Sequence, residues 1–468
     1  MTEILSVASE CAPLVKTGGL ADVAGALPGA LRPLGLRMRT LLPGYPQVMA
    51  GIGKARAVWR SDALFGGPAC VLAARTDALD LLVLDAPHLF DRPGQIYLGP
   101  DGRDWPDNPE RFAALCLAAA EIAARGADGW RPDILHCHDW QAGLAPVYLR
   151  DRFPDAPAGI VQTIHNVAFQ GLVPVDRLDA LGLPRSGMTP EGFEYWGQIG
   201  ALKAGLVWAD RITTVSPTYA AELLTPEFGM GLDGVLRARQ DRLSGILNGV
   251  DLADWAPPFR LASGKARHKA RIRAEMDLPE ATGPLCVVVS RMTEQKGLDL
   301  LLEALPALLE NGGQLALLGS GAADLELAFE RAAGDPNVAV RLGYDEALSR
   351  MLVAGGDAIL VPSRFEPCGL TQLYGLLHGT IPVVTLTGGL ADTVIPATPA
   401  GLRAGVATGL QVFPITSDAL GRALARLCAL HAQPEVWRRM QRNAMRQPVG
   451  WDRSAEEYAA LYRELSEA

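Results

Sequence analysis

What this sequence lacks narrows the field first. Its seven cysteines, Cys11, Cys70, Cys116, Cys137, Cys286, Cys368 and Cys428, are scattered, odd in number and never spaced as Cys-x-x-Cys. That argues against a disulfide framework or a zinc ribbon and for a reducing compartment. The N-terminus has neither a basic segment nor a long apolar one. No uninterrupted apolar run reaches the roughly 18 residues of a membrane span. A cytoplasmic protein without membrane contact is the expectation. The formal charge is −9, with no long basic run, so nucleic acid is not an expected partner. Gly-x-Gly-x-x-Gly, Gly-x-x-x-x-Gly-Lys-Ser/Thr and His-Glu-x-x-His are all absent. Nicotinamide cofactors, P-loop ATP hydrolysis and a zincin site lose their signatures with them.

What is present is an ordinary globular composition, 49% hydrophobic and 20% charged, over 468 residues. That length allows two or three domains with ample cores. The most informative stretch runs Ser363-Arg364-Phe365-Glu366-Pro367-Cys368-Gly369-Leu370-Thr371-Gln372-Leu373-Tyr374-Gly375. The apolar run 357–361 before it reads as a buried strand, and Leu370, Leu373, Leu376 and Leu377 mark one face of a helix after it. A helix opening over a sheet end offers unpaired N–H groups and partial positive charge to phosphate oxygens. Glu366, just before it, suits sugar or ribose hydroxyls instead. A second signal is a verbatim repeat: Thr17-Gly18-Gly19-Leu20-Ala21-Asp22 recurs as Thr387-Gly388-Gly389-Leu390-Ala391-Asp392. Paired glycines let a ligand approach the backbone. Two such loops suggest two similar sheets facing one cleft.

Along the chain, strand-like segments fall at 4–8, 36–42, 79–84, 159–164 and 211–215, and helices follow from about 20, over 108–124 and over 195–209. Asn108-Pro109-Glu110 supplies a cap, a first-turn proline and an acid at the positive end. The polar loop between 85 and 108, with Tyr97 and Trp105, is long enough to be functional or mobile. His136-Cys137-His138-Asp139-Trp140 holds potential metal ligands close together without a metal-site spacing. It reads better as a strand end, lining a cleft or simply packed. His165-Asn166 ends the next strand, where open parallel sheets bind ligands. Trp255-Ala256-Pro257-Pro258 breaks regular structure and places a domain boundary near 250, after which strand 285–290, helix 298–309, strand 314–318 and strand 338–342 restart the alternation.

These anchors together, Lys16 to Val23, residues 136–140, Thr163-Ile164-His165-Asn166, Asn248-Gly249-Val250-Asp251, Ser290-Arg291 with Lys296-Gly297, and Ser363 to Tyr374, resemble bacterial glycogen synthases and plastid starch synthases over essentially the whole chain. The resemblance implies an α/β GT-B fold of two Rossmann-like, doubly wound domains. Residues 1–248 would form the acceptor-side domain. Residues 249–468 would bind the nucleotide sugar, with C-terminal helices crossing back over 451–465. It implies retaining transfer of glucose from ADP-glucose to the non-reducing end of an α-1,4-glucan such as glycogen, with no cofactor and no metal. On that resemblance, His165, Glu366, Arg291 and Lys296 would be catalytic. Lys16, Gly18, Gly19, Asn248, Arg291, Lys296, Tyr344, Glu366, Cys368, Gly369, Leu370 and Thr371 would bind the donor. Asp22, Tyr97, Asp139, Trp140 and Asn166 would bind the acceptor.

The chemistry fits another absence. The sequence contains no Asp-x-Asp to hold a divalent cation on a leaving diphosphate, yet it offers Arg291 and Lys296 after one strand. Arginine grips phosphate oxygens through two parallel bonds and lysine supplies a point charge. No covalent nucleophile stands out, so front-face substitution is the expected route. Tyr374 occupies the position where related families place a second Glu, and 383–387 lacks the arginine many relatives carry. A glucan hydrolase would need two carboxylates flanking the bond. A phosphorylase would need a pyridoxal phosphate lysine that cannot be identified here.

Overall fold

A computed structural model describes residues 2–76, 78–259 and 264–467. The chain separates into two compact units: one of residues 1–215, 220–248 and 451–468, the other of 216–219 and 249–450. The final segment therefore groups with the first unit, while the preceding helix Pro434–Ala444 stays with the second.

The first unit is built on a nine-stranded sheet. Its order is Leu243–Gly245, Arg211–Thr214, Gly159–Ile164, Ile134–His138, Thr2–Val7, Leu36–Pro43, Asp80–Asp85, Gly67–Arg75 and Arg56–Leu64. Seven strands pair in parallel, and the last two close the edge as an antiparallel hairpin. The parallel centre reads as unbroken apolar runs because both faces are covered. Ile134–His138 and Gly159–Ile164 are buried along their whole length. The edge pair was not evident in sequence. Arg56–Leu64 is exposed or half-buried except at Leu64 and mixes Arg, Ser and Asp into its pattern, as an edge strand tolerates.

The second unit has six parallel strands in the order Val338–Leu342, Gln314–Gly319, Leu285–Val289, Ala358–Val361, Ile381–Thr385 and Leu410–Val412. The amphipathic helix Leu298–Leu309 buries Leu298, Leu301, Leu305 and Leu308 against it. Each core is its own cluster, one centred on Leu5, Leu82 and Leu135, the other on Cys286, Leu317 and Leu360.

Two local expectations need correction. The helix expected over 195–209 begins only at Ala201–Trp208. Ahead of it Glu194–Tyr195 and Gln198–Gly200 form a hairpin, turning on Trp196 and Gly197, both at positive φ. The apolar spacing matched a helix, but Gly197 at φ 77 supplied a turn that the spacing alone did not reveal. Asn108 is not the cap of its helix. Asp107 holds the N-cap position, and Asn108 is buried one residue inside. Its amide donates to the Tyr97 carbonyl while its oxygen accepts from Arg111. The buried Arg111 guanidinium also holds the Leu89 and Ile96 carbonyls. The long loop at 85–108 is thus tied down from beneath by one arginine.

Candidate active site

In the first unit the residues singled out from sequence gather at the carboxyl ends of the central strands. His136 and His138 lie on the same face of their strand, and both rings are fully buried. His136 bonds Thr163 Oγ1 at 2.6 Å and the Tyr462 hydroxyl at 2.7 Å. His138 bonds Ser6 Oγ at 3.1 Å through Nε2 and His165 Nε2 at 2.9 Å through Nδ1. Burial holds all three imidazoles neutral: His138 is pushed down to about 3, and His136 and His165 well below their usual value. Among the described residues no three His, Cys, Asp or Glu side chains gather as metal ligands.

Asp139 is turned into the protein rather than toward solvent. Its Oδ1 accepts from the backbone N–H of His165 at 2.7 Å and, more weakly, from that of Asn166 at 3.4 Å. Burial raises its carboxyl to about 7, against the lowering effect of those two bonds. Its backbone sits at φ 53, an uncommon conformation for a non-glycine residue. Asp139 therefore fixes the turn that carries His165. Trp140 packs edge-on against Phe112 with ring centroids 5.0 Å apart. A Cβ at Gly171 would come within 2.4 Å of its ring. Asn166 folds its side chain back onto the N–H of Ala168. Asn248 is buried, and its Oδ1 has no hydrogen-bond partner among the described residues.

The first glycine loop holds a residue that sequence reasoning missed. Glu10, 4% exposed, accepts from the backbone N–H groups of Thr17 and Gly18, from the Thr17 hydroxyl and from the Tyr97 hydroxyl. The Gly18 N–H donates to a carboxylate of the protein itself, at 3.1 Å. A lone Glu in Ser-Glu-Cys carries no pattern that could have flagged it. Tyr97 also bonds Ser9 Oγ at 2.7 Å. Lys16 and Asp22 pair with each other at 2.7 Å, the lysine side chain half exposed.

In the second unit, loop-to-loop stitching brings two of the candidate residues together. Arg364 clamps Asp299 through two bonds of 2.7 and 2.6 Å and donates to the Glu294 carbonyl. The Gln295 amide donates to the Phe365 carbonyl, and the Arg364 N–H donates to the Gln295 carbonyl. Gly297, at φ 62, lets its backbone approach Pro362; a Cβ there would lie 2.0 Å from the Pro362 oxygen. These ties bring Lys296 Nζ to 2.6 Å from Glu366 Oε2, which also accepts from Ser363 Oγ at 2.9 Å. Both partners are mostly buried, 18% and 11% exposed. Arg291 is exposed, and its guanidinium makes no hydrogen bond or ion pair among the described residues. Cys368 is buried, and Gly369, at φ 73, turns the chain into the helix Thr371–His378 after Leu370. Tyr344, 86% exposed, precedes the helix Glu346–Gly355, whose cap Asp345 accepts from the Leu348 N–H. Tyr374 stacks on Trp255 with centroids 3.6 Å apart.

The two copies of the hexapeptide do different jobs. Gly389 donates its N–H to the Glu366 and Pro367 carbonyls. A Cβ on Gly388 or Gly389 would lie 2.0 Å from the Glu366 oxygen or 2.1 Å from that of Cys368, and Gly388 has φ 42. The close approach read as room for a ligand is here filled by the Glu366 loop itself. Around Gly18, no heavy atom lies within 4 Å of an added Cβ, and its φ of −157 is extended. We expect Gly389→Ala to destabilise by about 2–4 kcal/mol, with the Glu366 loop displaced. Gly18→Ala should cost about 1 kcal/mol or less. Equal shifts of the two thermal midpoints would contradict this division.

Comparison with known proteins adds identity to geometry. A family model described as "Starch synthase catalytic domain" matches residues 3–238, and one described as "Glycosyl transferases group 1" matches 283–429. The chain is 64% identical to a glycogen synthase of Paracoccus denitrificans (strain Pd 1222) over 100% of both chains. It is 60% identical to a glycogen synthase of Jannaschia sp. (strain CCS1) over 99% of each. Among solved structures it superposes on the catalytic domain of starch synthase IV from Arabidopsis thaliana, bound to ADP and acarbose, with a TM-score of 0.89 and 30% identity over 100% of both chains. A sucrose-phosphate synthase from Thermosynechococcus elongatus matches in fold, at TM-score 0.62 and 20% identity over 99% of each. Two parallel α/β units of this kind form the GT-B architecture, and the chain belongs to the glycogen and starch synthase family of glycosyltransferases.

Proposed function

We propose that this protein is a glycogen synthase that transfers glucose from ADP-glucose to the non-reducing end of an α-1,4-glucan, with retention of the α-configuration. The observation that carries the reading is the second unit's cluster: Lys296 held on Glu366, with Arg291 on the same loop unengaged. Cleaving a glycosyl diphosphate leaves negative charge on the departing phosphate. Arg291 and Lys296 are suited to neutralise it, and preorganised groups of this kind contribute about 10²–10³ each in rate. The helix Thr371–His378, with Cys368, Gly369 and Leu370 leading into it, would add its first N–H groups. Glu366 would accept bonds from sugar hydroxyls, and Tyr344 would stack on the base. The starch synthase relative was bound to ADP, which favours adenine as that base.

From the first unit, Lys16, Gly18, Gly19 and Asn248 would serve the donor and His165 the sugar near its anomeric carbon. Asp22, Tyr97, Asp139, Trp140 and Asn166 would serve the glucan, Asp139 and Tyr97 through groups already fixed by protein bonds. With no Asp-x-Asp in the sequence, leaving-group charge falls to the cations rather than to a bound ion. A cytoplasmic location suits this substrate pair, and no helix among the described residues is long and apolar enough to cross a membrane.

The test is glucose incorporation into a glucan primer from ADP-, UDP- and GDP-glucose, with and without chelator. The expected result is ADP-glucose preference, α-1,4 product and full activity in EDTA. Transfer abolished by EDTA, or phosphate-dependent shortening of the primer, overturns it.

A further inference from the structure

Three buried side chains from three strands form a single hydrogen-bonded line that ends on His165. Ser6 Oγ lies 3.1 Å from His138 Nε2, and His138 Nδ1 lies 2.9 Å from His165 Nε2. Ser6 and His138 are fully buried and His165 nearly so. Neutral imidazole carries one N–H, so the contact between the two rings must hold a single proton, on one ring or the other. The choice settles the far nitrogen of His165.

If His165 Nε2 carried that proton, His138 would donate through Nε2 to Ser6. The Ser6 hydroxyl hydrogen would then need an acceptor, and Ser6 has no other side-chain partner among the described residues. A buried donor would be stranded. In the opposite order Ser6 donates to His138 Nε2 and His138 Nδ1 donates to His165 Nε2, so both hydrogens between the three side chains are paired and the fully buried Ser6 hydroxyl is not stranded. His165 then keeps its proton on Nδ1, which has no partner among the described residues. The Asp139 carboxylate holds the backbone of His165 and does not compete for its ring.

We propose that Ser6 and His138 are positioning residues that lock His165 in the Nδ1–H tautomer, so that it meets the substrate as a hydrogen-bond donor to a sugar or phosphate oxygen. In this state its Nδ1 has no lone pair with which to take the proton of the attacking glucan hydroxyl. His165 is therefore excluded as the general base, and that proton leaves by another group. The inference deepens the function proposed above and rests on His165 facing the sugar.

The lock can be read without any reaction. Long-range ¹H–¹⁵N correlation spectra of the [¹⁵N]histidine-labelled full chain separate pyrrole-type from pyridine-type nitrogens. The chain has seven histidines, and a His165→Gln sample assigns the resonance of interest. The expected spectrum shows His165 with pyrrole-type Nδ1 and pyridine-type Nε2 from about pH 6 to 8, inside the range where burial keeps the ring neutral. His138→Asn places an amide N–H near the lost Nδ1 and should retain that pattern, with kcat within about threefold of the parent. His138→Leu should lose the fixed tautomer and lower kcat by about tenfold or more, with KM for the nucleotide sugar little changed. A wild-type His165 with pyridine-type Nδ1 overturns the proposal whatever the enzyme's activity. A correct tautomer in a chain that incorporates no glucose leaves the lock standing and sinks the function reading instead.

Discussion

Lys296→Ala should lower kcat by about 10²–10³ while leaving the fold recognisable. Its Nζ is 2.6 Å from Glu366 and is one of two cations assigned to the departing phosphate. The substitution also removes the partner of a mostly buried carboxylate. Breaking a buried ion pair from one side costs about 3–5 kcal/mol at worst, because the remaining charge is uncompensated. Two features reduce that cost here: Ser363 Oγ still donates to Glu366, and the pair retains some solvent. A cost toward the lower end is tolerable against a typical domain stability of about 5–15 kcal/mol.

Activity and stability must therefore be read separately. The double variant Lys296→Ala/Glu366→Gln restores charge balance, so its urea midpoint should recover toward the parent. Its rate should not recover, because neither the cation nor the carboxylate acceptor has returned. Single-turnover kinetics on folded protein, matched by near-ultraviolet circular dichroism, gives the comparison. If the double variant regains both stability and rate, the pair is structural and the charge-neutralisation role would be lost. Arg291→Ala provides the complement. Its guanidinium supports no other group among the described residues, so kcat should fall with little change in midpoint.

The parts of this arrangement that were legible in sequence are those encoded within a few residues. The strand Leu285–Val289 and the helix Leu298–Leu309 announce themselves by apolar pattern, and Lys296-Gly297 and Glu366-Pro367 sit where strands give way to helices. What pairs across sequence was not legible. Lys296 and Glu366 are 70 residues apart, and the clamp of Arg364 on Asp299 that joins their loops leaves no periodic trace. His138 and His165, 27 residues apart, meet only because their strands are parallel neighbours. Identical letters also misled. Thr-Gly-Gly-Leu-Ala-Asp lies open at Gly18 and is packed against the Glu366 loop at Gly388. Its two aspartates part in the same way: Asp22 pairs with Lys16, whereas Asp392 accepts from the N–H and hydroxyl of Thr218. A glycine pair states that a backbone is approached closely, not by what.

Removing residues 451–468 should unfold the first unit, even though the cut falls far along the chain from that unit's other residues. The helix Asp452–Glu467 with Trp451 completes a separate core cluster. Trp451, Ala455, Tyr458, Ala459 and Tyr462 are buried there against Ile4, Val23, Leu27, Leu31, Met38, Ile134 and Val161. Burying one large apolar side chain contributes about 1.5–3 kcal/mol. Three aromatic residues and the strand residues they cover thus represent on the order of 5–10 kcal/mol, comparable with the stability of a whole domain. The loss is also polar. Tyr462 bonds His136 Nδ1 at 2.7 Å, and without it one nitrogen of a fully buried ring faces no partner. Tyr462→Phe isolates that term and should cost about 1–3 kcal/mol, the desolvation penalty of a stranded polar group. The truncated chain is expected to lose near-ultraviolet signal and to be cut within residues 2–250 by trace protease. A peptide covering 451–468, added in trans, should restore protection. If the shortened chain instead melts within about 1 kcal/mol of the full one, the terminal helix is an ornament on an already complete core.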